Sequence, residues 1–226
     1  MMNKGAQTRV TILNHAVAMA GVHGLYGVSI ARLARATGMS KSGLFGHFGS
    51  KEALQRAILE TAATDFARSV LAPAQQEPTG EGRLRTLFRN WLQWLYAEER
   101  PGGCPLVSAS IEFANRPGEL HDYLVDQQGT WLDRIRRMSQ KAVAEGNFHE
   151  GLNTRQFAFE FHSIGLGFNF ARRLFSDSKA LTHANAALDH LIDTAKRRNW
   201  QARPASPRIA GRESRRSLRA NERKAE

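Results

Sequence analysis

The stretch Ser40 to Leu54, SKSGLFGHFGSKEAL, decides how the rest of the chain is read. It sets glycines at 43, 46 and 49 among residues that otherwise favour helix. Each interior glycine costs a helix about 1 kcal/mol against alanine, and a segment this short is hard to form alone. Either packing repays that cost or function requires it. Ser40 and Ser50 suit N-cap positions, which predicts a short helix ending near Phe48 and a longer one from Lys51 to near Val70, with Gly49 breaking the chain between them. On a wheel of about 100° per residue, Leu44 and Phe48 form a buried edge. Ser42, Gly43 and Gly46 lie opposite, bordered by Lys41 and Phe45 on one side and His47 on the other. The outward face is almost bare of side chain.

Towards the N-terminus, Ser29 is placed to cap another short helix, whose Ile30, Leu33 and Ala34 turn inward while Arg32 and Arg35 turn out, and Gly38 ends it. Before it, Ile12, Leu13, Ala16 and Val17 share one face of a helix over Thr8–Ala20, which breaks at Gly21, Gly24 and Gly27. Two short capped helices joined by the turn TGMS have the length and turn chemistry of a DNA-binding helix-turn-helix.

The charge agrees with such a role. The chain has 226 residues and a formal net charge of +11, which points to a polyanionic partner. Residues 1–60 hold seven Lys/Arg against two Asp/Glu, residues 61–200 seventeen against sixteen, and residues 201–226 eight against three. The middle is neutral and both ends are basic. No apolar run reaches the roughly 20 residues of a membrane span, no leader is recognisable at the N-terminus, and a single cysteine, Cys104, allows no internal disulfide. A cytoplasmic protein that needs no membrane is expected. No Cys/His pattern calls for a metal and none calls for a cofactor.

Helical periodicity continues to the C-terminal end of the neutral region, so the expected fold class is all-α, with about nine helices. After the Pro- and Gly-rich connection Ala72–Gly82, helices are expected near Leu84–Glu98, Pro105–Asn115, Pro117–Glu145, Thr154–Phe175 and Lys179–Arg198. Asn153 with Gln156 has the form of a capping box, and Pro105 and Pro117 suit first helical positions. The three expected regions are residues 1–60 for DNA binding, 61–200 for ligand binding and dimerisation, and a disordered basic tail over 201–226.

The run VHGLYGVSIARLARATGMSKSGLFGHFGSKEAL resembles the N-terminal domain of the TetR family of transcriptional regulators. The likeness spans roughly residues 8 to 60 and is most specific at His23-Gly24, Ile30, Leu33-Ala34, Gly38, Ser40-Lys41, Phe48 and Ser50 to Leu54. The resemblance implies a one-component repressor, a homodimer on a palindromic double-stranded operator that is released by a small-molecule effector. It implies that the helix after Ser40 lies in the major groove. Phe45 stands where the family commonly has Tyr, and Gly46 where it commonly has a larger polar residue. Phe45 therefore has no hydroxyl for a phosphate and is left with apolar contact to sugars or a thymine methyl.

The expected DNA-contacting set is Ser29, Arg32, Arg35, Ser40, Lys41, Ser42, Gly43, Phe45, Gly46, His47 and Lys51. Lys41, His47 and Lys51, with the helix-start amides, suit phosphates; Ser42 and Arg32 suit bases, with DNA shape adding the rest. Two readings of Gly43 and Gly46 stand side by side at this stage: close approach to DNA, or a tight crossing of the first, third and fourth helices. For an effector cavity the candidates are Trp91, Trp94, Cys104, Phe113, Trp131, Phe161, His162, Phe168 and Asn169, although core filling explains aromatics of this kind equally well. His162 and Asn169 share a helix face and suit the orientation of a ligand. Cys104 at a helix start near Arg100 has surroundings that lower a thiol pKa, as a redox sensor needs, while inert packing is the commoner role.

The apolar late helices, including THANAALDHLI at Thr182–Ile192, suit a four-helix dimer seam. The basic tail suits non-specific attachment to DNA. Two other classes stay open on residues alone. One is a helical enzyme using Glu112, His121 and His162, and the other a basic protein that coats DNA or a membrane surface.

Overall fold

The computed structural model describes residues 4–97 and 102–197. Arg100 and the basic tail over 201–226 lie outside the described residues. Described segments are helical, in the order α1 (Lys4–His23), α2 (Ile30–Thr37), α3 (Lys41–Phe48), α4 (Lys51–Phe66), a π turn (Ala67–Leu71), α5 (Ala72–Gln75), α6 (Gly80–Tyr96), α7 (Pro105–Phe113), α8 (Glu119–Ala144), α9 (Thr154–Leu174) and α10 (Ala180–Lys196). Counting α4, the π turn and α5 as one uninterrupted run, the described residues form nine helical segments, as the periodicity predicts.

The first four helices make a small head. Ile12, Ala16 and Ala20 of α1, Leu33 of α2, Leu44 of α3 and Leu54 and Ile58 of α4 meet in its centre with almost no exposure. The three serine caps form as their positions predict: Ser29 Oγ accepts the Arg32 amide at 3.2 Å, Ser40 Oγ the Gly43 amide at 3.0 Å, and Ser50 Oγ the Ala53 amide at 3.0 Å. Each satisfies one of the amides that a helix start leaves unpaired.

The helix that starts at Lys51 outlasts the prediction. Pro73 reads as a breaker because it lacks an amide hydrogen and its ring collides with the carbonyl four residues back. The chain keeps its helix by widening into the π turn just before Pro73, where the Ala72 amide reaches the Ala67 carbonyl. The connection therefore shrinks to the few residues between Gln75 and Gly80.

In the body, α8 and α9 pack against α6, α9 packs against α10, and α7 wedges between the head and α8. Gly165 of α9 lies directly under the Trp91 indole: a β-carbon there would stand 2.0 Å from a ring carbon. Only glycine lets α9 pass so close to α6. Two cap details differ from expectation. Asn153 Oδ1 accepts the Arg155 and Gln156 amides, but the Gln156 side chain turns to Glu160 at 2.7 Å, so the reciprocal half of the capping box is missing. Pro117 lies outside α8, which is preceded by Gly118 at φ 142°. Pro105 does open α7, with Cys104 at its N-cap.

Candidate nucleic-acid interface and effector cavity

On α3, Leu44 is buried and Phe48 packs against the same core, while Lys41, Ser42, Phe45 and Gly46 face solvent. A β-carbon built on Gly46 meets nothing within 4 Å. One built on Gly43 meets only its own cap, Ser40 Oγ, at 3.1 Å and the Met39 methyl at 3.7 Å. No atom of α1 or α4 crowds either position, so a tight helix crossing is not what these two glycines serve. Gly49 is different: its φ of 75° is a conformation that side chains disfavour, and its amide closes α3 onto the Phe45 carbonyl at 2.7 Å.

Around this face stand cations. Arg32 and Arg35 on α2 are exposed, as is Lys41 at the start of α3. His47 is half-buried beside the Phe48 ring. Lys51 is tethered, its Nζ donating to the Tyr26 carbonyl at 3.3 Å and lying 4.3 Å from the centre of the Tyr26 ring. Such a tether fixes the ammonium near the start of α4 instead of leaving it to sweep through solvent.

In the body, an apolar cavity of about 100 Å³ opens between the α4–π run, α6, α7, α8 and α9. Of the predicted ligand residues it gathers Trp91, Cys104, Trp131 and His162. The Trp131 indole N–H donates to His162 Nδ1 at 3.0 Å, and Trp91 stacks on the His162 ring with centroids 5.6 Å apart. Since Nδ1 accepts, the ring proton sits on Nε2, and burial lowers the His162 pKa, favouring the neutral imidazole. His162 is thus a satisfied histidine in the cavity wall.

The remaining candidates lie elsewhere. Trp94 is buried edge-on against Phe66, Phe161 is buried between Phe88 and Phe157, and Phe113 closes the far end of α7 beside the start of α4. Phe168 lines a separate cleft with Tyr96 and Leu181. Asn169 does not join His162, because its side-chain oxygen accepts from Arg173 Nε at 3.1 Å on its own helix. Cys104 is buried at 4% exposure, and the described cation that interacts with it is Arg173.

Several wall residues escaped the sequence reading. Gln127, Gln128 and Arg134 lie one turn to either side of Trp131, so the helical wheel of α8 marks them. Phe66 reaches the wall from the end of α4, and Leu71 through the π turn that follows, which no spacing rule announces. The three residues of the enzyme reading each have a different partner: Glu112 binds the Leu25 and Tyr26 amides, His121 pairs with Asp122, and His162 accepts from Trp131.

Along α9, Phe159, Leu166, Phe170 and Leu174 are exposed at helical spacing, with Leu181 of α10 also exposed. Among the described residues no helix is long and apolar enough to cross a membrane.

A capped helix-turn-helix head on a helical body that encloses a cavity defines a DNA-binding transcriptional regulator. Comparison with known proteins places it further. Residues 12–58 match the model of the bacterial regulatory proteins of the tetR family, and residues 80–188 that of the tetracyclin repressor-like C-terminal domain. The chain belongs to the TetR family of transcriptional regulators.

Among curated proteins it is 26% identical over 132 residues to the nucleoid occlusion factor SlmA of Marinobacter nauticus. That likeness takes in 58% of this chain, and the chain spans 64% of that relative's length. Among solved structures it is similar to a TetR transcriptional regulator from Chloroflexus aurantiacus J-10-FL, with a TM-score of 0.76 and 24% identity over 85% of this chain and 96% of that one. It is also similar to AibR in complex with isovaleryl coenzyme A and operator DNA, with a TM-score of 0.68 and 21% identity over 82% of this chain and 98% of that one.

Proposed function

We propose that the protein is a cytoplasmic, ligand-responsive repressor that binds a palindromic operator as a homodimer and has no catalytic activity. One structural observation carries the response to ligand. The N-terminal end of α7 supplies Cys104, Leu106 and Val107 to the cavity wall, while Glu112 near its other end accepts the Leu25 amide at 2.8 Å and the Tyr26 amide at 2.9 Å in the loop that leads into the helix-turn-helix. A ligand that displaces α7 therefore pulls on the head. AibR, seen with both an acyl thioester and operator DNA, supports pairing a ligand with DNA in this fold.

Residues 1–60 form the DNA-binding region, 61–200 the ligand-binding and dimerisation region, and the basic 201–226 adds non-specific attachment. In this reading α3 enters the major groove with its glycine face towards the base edges. Ser42 and Arg32 read bases, Phe45 packs on sugars or a thymine methyl, and Arg35, Lys41, His47 and Lys51, with the amides behind Ser29, Ser40 and Ser50, hold phosphates. The exposed apolar stripe of α9 with α10 forms the subunit seam, which sets two heads at half-sites about one helical turn apart.

Ligand and operator then compete through one equilibrium, and each weakens the other by the same factor. Footprinting on the DNA flanking the coding sequence tests the reading. Discrete paired half-sites are expected, and uniform coating or no protection overturns it.

A further inference from the structure

The chemical class of the effector is written in the cavity mouth, and the inference rests on the effector reading just given. Arg134 of α8 lines both the apolar cavity and a wider charged groove along α8 that also includes Arg83, Arg137 and Lys141. Of these four cations, three are engaged. Arg83 Nε donates to the Glu77 carbonyl at 2.8 Å, Arg137 Nε to Asp133 at 2.6 Å, and Lys141 pairs with Glu145. The other oxygen of Asp133 is taken by Arg136. Arg134 has no hydrogen-bond or ion-pair partner among the described residues, and it is half-buried.

A half-buried arginine lining a cavity walled by indoles and Phe66 carries a fork of donors matched to a carboxylate. Beside it, Gln127 and Thr130 add polar groups at the same mouth. The space behind is small: about 100 Å³ is below the roughly 300–1,000 Å³ of sites for drug-sized ligands. It suits one branched or aromatic group and not a long chain. Among the described residues Arg134 is the Lys or Arg that lines this cavity, so the charge to be matched there is single.

We propose that the site takes a small monocarboxylate, with its compact apolar or aromatic body against the wall formed by Trp91, Trp131 and Phe66 and its carboxylate on Arg134. An acyl thioester, whose several phosphates need several cations along the groove, fits less well because Arg137 and Lys141 are already paired with carboxylates, which leaves Arg83 and Arg134 to match them.

The two cavity tryptophans give the assay. Isovalerate, benzoate and phenylacetate are titrated into the full-length protein while indole fluorescence is followed. Isovaleramide, benzamide and isovaleryl coenzyme A serve as comparisons. At least one of the three acids is expected to quench saturably, with its amide weaker by about tenfold or more. Arg134→Gln should raise the acid's dissociation constant about tenfold, leave benzamide unchanged, and be partly rescued in Arg134→Lys.

Equal affinity of acid and amide, an unchanged constant in Arg134→Gln, or no response to any of the acids overturns the proposal. So does tighter binding of isovaleryl coenzyme A than of isovalerate. An operator titration in the same samples separates the two readings. An acid that binds through Arg134 without changing operator affinity leaves the ligand chemistry standing and removes its role as effector. Release of operator by the amides alone does the reverse.

Discussion

Leu25 and Glu112, 87 residues apart in sequence, are joined by a 2.8 Å hydrogen bond from backbone amide to carboxylate. The Leu25 carbonyl meanwhile accepts the buried Gln55 side chain of α4 at 3.1 Å. One residue at the entrance to the helix-turn-helix is therefore gripped by the body on one side and by α4 on the other. Replacing Glu112 with Ala strips the acceptor from two amides. An unmet partly buried amide costs about 1–3 kcal/mol, and in a chain of this size each kcal/mol lowers the melting temperature by about 2–4 °C. Glu112→Ala should melt several degrees lower and bind operator with a weakened response to ligand, measured by thermal denaturation and by operator titration with and without the acid.

At Gly46 stability and affinity should part company. The open space around its β-carbon makes Gly46→Ala a helix-stabilising change of about 0.5–1 kcal/mol in the free protein. Because the proposed groove face depends on close approach, operator affinity should fall about tenfold. Denaturant unfolding and a gel-shift titration check the pair, and unchanged affinity removes close approach at this position.

Trp91 keeps its place only while residue 165 lacks a side chain. Gly165→Ala forces the indole or α9 to move, and overpacking of this kind costs about 1–3 kcal/mol. The variant should lose the fluorescence response to ligand before it loses operator binding.

His162 gives stability a pH dependence of known sign. Burial lowers its folded pKa below the ordinary 6.5, so the unfolded chain binds the proton more readily. Its contribution is complete above the unfolded value and is lost as pH falls from there towards the folded one. His162→Gln, whose amide oxygen still accepts from Trp131, should flatten this part of the stability profile, read from melting temperatures across mildly acidic pH.

The apolar stripe on α9 predicts that Phe170→Glu gives a monomer by light scattering at micromolar concentration. Operator affinity should fall with it, since a single head reaches only one half-site.

The head was readable because its signals are local. Ser29, Ser40 and Ser50 each act within three residues, and Gly38 and Gly49 end helices by their own backbone freedom. The π turn was hidden because Pro73 ordinarily ends a helix, and only packing from the surrounding body keeps this one intact. The cavity was half visible. Trp131 and His162 meet as large polar-tipped rings should, yet sharing a face with His162 did not bring Asn169 in, since Arg173 one turn away captures it. Arg134 carries no mark in the sequence that separates it from Arg136 or Arg137; its distinction is the absence of a counter-ion among the described residues, which only the fold reveals.

The empty volume over Gly46 also bears on how such a regulator diverges. On α3 a larger side chain at this position would enter solvent without disturbing a core atom. On the proposed groove reading, a single substitution there changes operator preference with no prior loss of folding to be repaired. The bare helix is a starting point from which new DNA targets lie close at hand.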